Sequence, residues 1–316
     1  MRIGIVGAGA IGGWIGVLLA RSGHDVSVLA RGATLAALQA GPWRLTYAGR
    51  HLEAHVCASA DAAALGLQDV VVVAVKGPAL KEVAPAIAPM IGSGTAVVPA
   101  MNGIPWWFLL SGCGSLSPRA LMSVDADGTI ANAIPFGTVI GCVVHASVTA
   151  PQPGSVAHKR GKELILGEPS GEMSGRLEVL ATLFEDAGFQ VARSNRIQQE
   201  IWYKLWGNMT MNPISALTGA TCDRVLDDEL VNAFVLRIMA EAAEVGQRIG
   251  CEIKERGEER NAVTRKLGAF RTSMLQDAEA GRPLEINQIL AAPREIAQMV
   301  SVATPNMDAL LGLTRL

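Results

Sequence analysis

The stretch Arg2-Ile3-Gly4-Ile5-Val6-Gly7-Ala8-Gly9-Ala10-Ile11-Gly12, continued by Trp14-Ile15-Gly16-Val17-Leu18-Leu19-Ala20-Arg21, decides how the first half of the chain is read. Residues 2–6 form a short apolar run, the pattern of a strand buried in a parallel sheet. Glycines spaced GxGxxG follow, then a helical stretch, then a second apolar strand over residues 25–30. Strand, glycine turn, helix and strand within about thirty residues is the context that gives this motif its meaning. Gly7 permits the tight turn, Gly9 lets backbone N–H groups approach a pyrophosphate, and Gly12 lets the helix pack closely on the strand. Ala8, Ala10 and Ile11 complete the loop and the start of the helix, whose N-terminus faces the negative charge. A purely structural glycine turn is the competing reading.

The end of the second strand bears on the choice of nicotinamide cofactor. It reads Leu29-Ala30-Arg31-Gly32, without the carboxylate that would bond a ribose 2′-hydroxyl in NAD. Arg31 can instead pair with a 2′-phosphate and stack on adenine, so NADP(H) is expected; an arginine merely solvated on a loop is the alternative. A valine-rich strand over residues 69–75 ends in Lys76-Gly77-Pro78. A basic residue past the carboxyl end of a parallel strand lies over the ligand crevice of such sheets, which makes Lys76 a candidate contact to cofactor or substrate anion, against a plain surface lysine. The strand over residues 95–98 leads to Met101-Asn102-Gly103-Ile104-Pro105-Trp106-Trp107. Asn102-Gly103 suits an ordinary turn, but its position after that strand favours a polar contact near the nicotinamide ribose or the substrate. Trp106 and Trp107 either wall a pocket or fill core, and core is the expectation.

Between these points the pattern predicts a short helix over 33–40, a small hairpin or excursion over 43–58, a helix over 80–91 and an irregular loop or lid over 111–138. Strands are expected over 137–149, 155–158, 163–166 and 190–194, with a helix over 175–187. From about residue 196 the pattern changes to long helices without a clear strand. The boundary is therefore placed so that residues 1–196 form one domain and 197–316 another.

The second half carries a polar stripe. In Ile201-Trp202-Tyr203-Lys204-Leu205-Trp206-Gly207-Asn208-Met209-Thr210-Met211-Asn212-Pro213, Lys204, Asn208 and Asn212 fall at i, i+4 and i+8 among core-type residues. Such a row must find partners or face a cavity, because burying an unpaired ammonium or amide costs several kcal/mol. The bland alternative is a lysine that snorkels to solvent and amides satisfied by nearby backbone. Further on, Ser273 of Thr272-Ser273-Met274-Leu275-Gln276-Asp277 can cap a helix, and Glu285 can sit in the first turn of another, roles that need no function.

With 50% hydrophobic and 18% charged residues and a net charge of −2, the 316-residue chain has neither the composition of a disordered protein nor the basic surface for nucleic acid or an anionic membrane. Small dissolved ligands are the expected partners. Cys57, Cys113, Cys142, Cys222 and Cys251 are scattered and show no CxxC or Cys/His pairing, which argues against a disulfide framework and a metal site and fits a cytoplasmic protein. His51 and His55 are read as solvent-exposed. Neither a signal peptide nor a transmembrane helix is expected, since no uninterrupted apolar run reaches about 18 residues.

With these pieces in place the chain resembles the ketopantoate reductase (2-dehydropantoate 2-reductase) family over essentially its whole length. The resemblance rests on GAGAIG after the first strand, Arg31, VVAVK ending at Lys76, Asn102-Gly103, the PG turn and LGEPSG. Its most specific parts are K-L-x-x-N-x-x-x-N-P from Lys204 to Pro213, and S-M-L-Q-D with a Glu twelve residues after the Ser. It implies an α/β architecture, an N-terminal Rossmann-type NADP-binding domain followed by an all-helical domain, with the site in the cleft between them. It further implies that Lys204 is the catalytic lysine and that Asn208, Asn212 and Ser273 bind substrate. By the same resemblance Asn102 touches cofactor and substrate, and Glu285 serves binding and catalysis. Trp106-Trp107 and Ala291, where many members have glycine, depart from the family pattern and bear on which 2-oxo acid is used.

The reaction so implied is hydride transfer from NADPH to the ketone carbon of a small 2-oxo acid, with Lys204 stabilising and protonating the carbonyl oxygen. Two alternatives stand beside it: a reductase of a different branched or aromatic 2-oxo acid, and a non-catalytic NADP-binding sensor. A homodimer through the helical half is compatible with the sequence, though nothing demands it.

Overall fold

A computed structural model describes residues 1–316. Along the chain run β1 (Arg2–Val6), α1 (Ala10–Arg21), β2 (Asp25–Leu29), α2 (Gly32–Ala40), β3 (Trp43–Tyr47), β4 (Arg50–Ala54), β5 (Cys57–Ser59), α3 (Ala62–Leu65), β6 (Val70–Val73), α4 (Gly77–Ala86) and β7 (Ala96–Pro99). Then come α5 (Met122–Asp125), α6 (Thr129–Ala133), β8 (Gly141–Gln152), β9 (Ser155–Gly167), α7 (Gly175–Asp186) and β10 (Gln190–Arg193). The remaining elements are all helical: α8 (Ile197–Thr218), α9 (Cys222–Asp227), α10 (Glu229–Arg248), α11 (Gly257–Arg265), α12 (Ser273–Glu279), α13 (Ala292–Met299) and α14 (Pro305–Arg315). The chain divides into two compact units, Met1–Met101 with Gly128–Ile197, and Asn102–Asp127 with Gln198–Leu316. No helix is long and apolar enough to cross a membrane.

In the first unit, a parallel sheet has the strand order β5-β2-β1-β6-β7. β1 pairs with β2 from Arg2↔Asp25 to Val6↔Leu29, and with β6 from Ile3↔Val70 to Val6↔Val73. All four valines of β6 are buried, as a strand covered on both faces requires. A second sheet runs β10-β9-β3-β4, with β8 also paired to β9. α1 packs against strands of both sheets. Its residues from Gly12 to Leu19 are all buried, the signature of a helix enclosed rather than laid on a surface. Gly16 makes that approach possible: a Cβ there would stand 2.5 Å from Cζ3 of Trp43 and 3.2 Å from Cγ1 of Ile5. Trp14 fixes the helix further, edge-on to Phe189 with ring centroids 4.8 Å apart.

Two expectations are corrected. Residues 155–158 and 163–166 belong to one strand, β9, which forms an antiparallel ribbon with β8. Residues 159–163 are exposed, so that part of the ribbon has no core face to impose alternation. Segment 111–138 is not uniformly irregular, since it holds α5, α6 and a 3-10 turn at Phe136–Thr138. The expected hairpin over 43–58 is β3-β4, and β3 joins β9 in parallel at Arg44↔Ser155.

In the second unit, two tryptophans of α8 tie that helix to α10. Trp202 Nε1 donates to the Ala242 carbonyl at 3.2 Å, and Trp206 Nε1 donates to the Met239 carbonyl at 2.7 Å. Both indoles bury their rings while satisfying their N–H groups, which gives the pairing a defined register. α10 buries Val235, Ile238, Met239, Ala242 and Val245 along one stripe. At its start the Asp228 side chain accepts from the N–H groups of Leu230 and Val231, both at 3.0 Å.

Candidate active site

At about 100° per residue, Lys204 lies roughly opposite Trp202 and Trp206 around α8. The indoles that anchor the helix thus leave Lys204, Asn208 and Asn212 on its other side. Lys204 Nζ donates to Asn102 Oδ1 at 2.8 Å. An ammonium has donors only, so this bond fixes which end of the Asn102 amide is oxygen and leaves its NH₂ group to donate elsewhere. The side-chain amides of Asn208 and Asn212 make no hydrogen bond within the chain, although Asn212 is only 5% exposed. A row of one held ammonium and two amides with unused hydrogen-bonding capacity suits a small polar ligand.

Ser273 is the first residue of α12 and is exposed, and its hydroxyl has no partner in the chain. The capping role considered for it belongs to Thr272, whose side chain accepts from Leu275 N at 3.1 Å. Glu285 is buried at 7% exposure immediately before a helix that runs from Ile286 into α13. Arg282 and Asp277, paired at 2.9 Å, brace the turn between α12 and this helix. Trp106 and Trp107 are 1% exposed and lie in the core, as expected.

In the first unit, the glycine turn, the end of β2 and the end of β6 converge. Gly7 N donates to the Leu29 carbonyl at 3.3 Å, and Ala74 N donates to the Val6 carbonyl at 2.8 Å. Gly7 has φ +98°, and a Cβ there would lie 2.8 Å from Cγ1 of Val75. At Gly12 a Cβ would fall 2.0 Å from the Gly7 carbonyl oxygen, so helix and turn close only with glycine. Gly9 faces open space. α1 begins there with no side-chain cap and no acidic residue in its first turn. Its first N–H groups are therefore available to an anion, and the loop fits the pyrophosphate of a dinucleotide. Arg31 follows β2 as the N-cap residue of α2, and its guanidinium pairs with Glu82 at 2.5 Å, both side chains being well exposed. Lys76 precedes α4 as its N-cap residue at the carboxyl end of β6.

Some residues here were not singled out by sequence. The Arg260 guanidinium sits 5.7 Å from the Tyr203 ring centroid, and its Nη2 would lie 3.1 Å from a Cβ at Gly207. Burial, reinforced by the hydrogen bond to Glu255, pushes the Tyr203 phenol above its ordinary range against the opposing pull of Arg260. Tyr203 thus stays protonated near neutral pH. A glycine inside the long helix α8 was the one signal for this close approach. In the first unit, Glu168 of LGEPSG is a tie within the fold: Arg176 Nε and Nη2 donate to it at 2.7 and 2.5 Å, and Ser174 at 2.5 Å.

A parallel-sheet unit with an uncapped glycine turn, and a helical unit presenting a held amine, define a dinucleotide-dependent oxidoreductase of the Rossmann type. Residues 3–171 match the family model Ketopantoate reductase PanE/ApbA, and residues 196–316 match Ketopantoate reductase PanE/ApbA C terminal. The chain belongs to the ketopantoate reductase family. It is 43% identical to a 2-dehydropantoate 2-reductase of Mesorhizobium japonicum over 100% of this chain and 97% of that protein. Among solved structures, a ketopantoate reductase candidate from Ralstonia solanacearum MolK2 superposes with TM-score 0.95 at 58% identity, covering 99% of this chain and 96% of the other. A 2-dehydropantoate 2-reductase from Geobacter metallireducens GS-15 gives TM-score 0.88 at 27% identity, covering 100% and 99%.

Proposed function

We propose that this protein reduces 2-dehydropantoate to pantoate with NADPH. The observation that carries the reading is the ammonium of Lys204 held at 2.8 Å by Asn102 Oδ1, on a helix whose two neighbouring amides have no partner in the chain. Cofactor contacts are assigned to Gly7, Ala8, Gly9, Ala10, Ile11, Gly12, Arg31, Lys76, Asn102 and Glu285. Residues 1–196 are assigned to dinucleotide binding and 197–316 to substrate binding and catalysis. When bound, the reduced nicotinamide supplies the hydride. Lys204 stabilises the charge that grows on the carbonyl oxygen and delivers the proton that makes it a hydroxyl, an effect typically worth about 10²- to 10⁴-fold. Asn208, Asn212 and Ser273 hold the carboxylate and hydroxyl groups of the substrate, and Asn102 turns its free NH₂ group to the ligands. Glu285 orients the substrate or balances the lysine.

A related reductase of another 2-oxo acid is the second reading. Its aromatic form drew on Trp106 and Trp107, and their burial leaves it without exposed ring surface to recommend it. Following NADPH absorbance with 2-dehydropantoate and a panel of branched and aromatic 2-oxo acids separates the readings. Preference for 2-dehydropantoate supports the first, preference for another acid the second, and binding of NADPH without turnover of any acid a sensor.

A further inference from the structure

The helix that follows Glu285 contains one wide, π-type turn at Asn287–Ala291. Ala292 N donates five residues back to the Asn287 carbonyl. The Gln288 carbonyl is thereby left without an acceptor role inside the helix. Its ordinary donor four residues on, Ala292, is already used, and the donor five residues on would be Pro293, which has no N–H. A buried carbonyl must find a partner elsewhere. Here the partner is the N–H of Ile104, at 2.9 Å.

That bond draws the chain after Asn102 tightly against the helix. Gly103 has φ +75°, and a Cβ there would lie 2.6 Å from the Gln288 carbonyl oxygen and 2.7 Å from its carbonyl carbon. These are backbone atoms that cannot swing aside, so only glycine fits. Immediately before Gly103 stands Asn102, whose Oδ1 holds the Lys204 ammonium. Two residues beyond Pro293, the Glu295 carboxylate accepts from the N–H groups of Met122 and Ser123 at 2.8 and 2.7 Å. The same helix therefore grips segment 102–127 near both of its ends.

We propose that the wide turn, Pro293 and Gly103 form a positioning device for the reduction, with the Gln288 carbonyl that the helix leaves unused docking residues 103–104 so that Asn102 Oδ1 meets Lys204. Wide turns of this kind recur at functional sites because they release a backbone group for such use. The inference rests on the assignment of Lys204 as the proton donor. Gly103, Gln288 and Pro293 are positioning residues, acting through Asn102 and touching no reacting atom.

The test is a kinetic double-mutant cycle with 2-dehydropantoate and NADPH, using Gly103→Ala, Asn102→Ala and the two combined, with Pro293→Ala and Lys204→Ala alongside. Gly103→Ala is expected to lower kcat about 10- to 100-fold with a much smaller change in KM for NADPH. The double variant should fall no further than Asn102→Ala alone, because both changes remove one interaction. Pro293→Ala restores an N–H able to close onto the Gln288 carbonyl in competition with Ile104. It should lower kcat about 3- to 10-fold while Tm stays level or rises, which a purely structural role would not produce. Gly103→Ala turning over within twofold of the parent, or losses that multiply in the double variant, would overturn the proposal. If Gly103→Ala does not fold, Pro293→Ala decides: a lower kcat at undiminished Tm supports the device, and an unchanged kcat refutes it. Should Lys204→Ala itself stay active, the catalytic assignment fails first; an inactive Lys204→Ala beside a fully active Gly103→Ala removes the positioning device alone.

Discussion

Lys204 and Asn102, 102 positions apart in the sequence, meet through a 2.8 Å hydrogen bond in which the ammonium donates to the amide oxygen. The bond restricts a flexible four-carbon side chain to one direction and sets the orientation of the amide at the same time. A hydrogen bond to a charged group is worth about 1.5–3 kcal/mol. Asn102→Ala should accordingly lower kcat with 2-dehydropantoate by about 10- to 100-fold, as read in steady-state kinetics. A change confined to KM would mean that Asn102 only binds ligand.

Arg31 pairs with Glu82 on an exposed surface, where an ion pair contributes little and is easily exchanged for a better anion. A ribose 2′-phosphate is such an anion. Arg31→Ala should raise KM for NADPH by about tenfold and leave KM for NADH nearly unchanged. Equal losses with both cofactors would remove the argument for NADP.

Glu168 is buried, which by itself raises its carboxyl pKa. The hydrogen bonds from Arg176 and Ser174 and the arginine's charge act in the opposite sense and hold it below the ordinary 4.5. A depressed pKa contributes stability that is present above the unfolded-state value and is lost as pH falls through the folded-state value. Glu168→Gln should therefore destabilise the protein by roughly 2 kcal/mol at neutral pH, with the arginine half-exposed and partly rehydrated. Thermal denaturation across pH should show the difference from the parent shrinking as pH falls through and below the ordinary glutamate range.

Trp206 donates to the Met239 carbonyl in the core between α8 and α10. Trp206→Phe keeps most of the ring but leaves that carbonyl without its donor. A loss of about 1–3 kcal/mol is expected in denaturant unfolding. Unchanged stability would mean that the indole N–H does not set the pairing of the two helices.

Much of this was legible in the sequence because it is local. The glycine turn, the valine strand β6 and the polar stripe on α8 each announce themselves within about ten residues. What escaped depends on partners far along the chain. β3 pairs in parallel with β9 at Arg44↔Ser155, which no hairpin signal marks. β9 continues through an exposed stretch whose polar residues follow no core-facing alternation, and so it read as two strands. The wide turn at Asn287–Ala291 depends on Pro293 withholding a donor and on Ile104 supplying one. Neither residue hints at the other in a linear reading. Arg260 is similar, betrayed only by the missing side chain of Gly207.

The central claim is that Lys204 delivers the proton as the 2-oxo acid is reduced. Its most direct test is single-turnover oxidation of bound NADPH by 2-dehydropantoate in the parent protein and in Lys204→Ala, with NADPH affinity measured separately by fluorescence. The account predicts a rate for Lys204→Ala lower by about 10²- to 10⁴-fold with NADPH affinity little changed. A rate within a few-fold of the parent at saturating 2-dehydropantoate would contradict it.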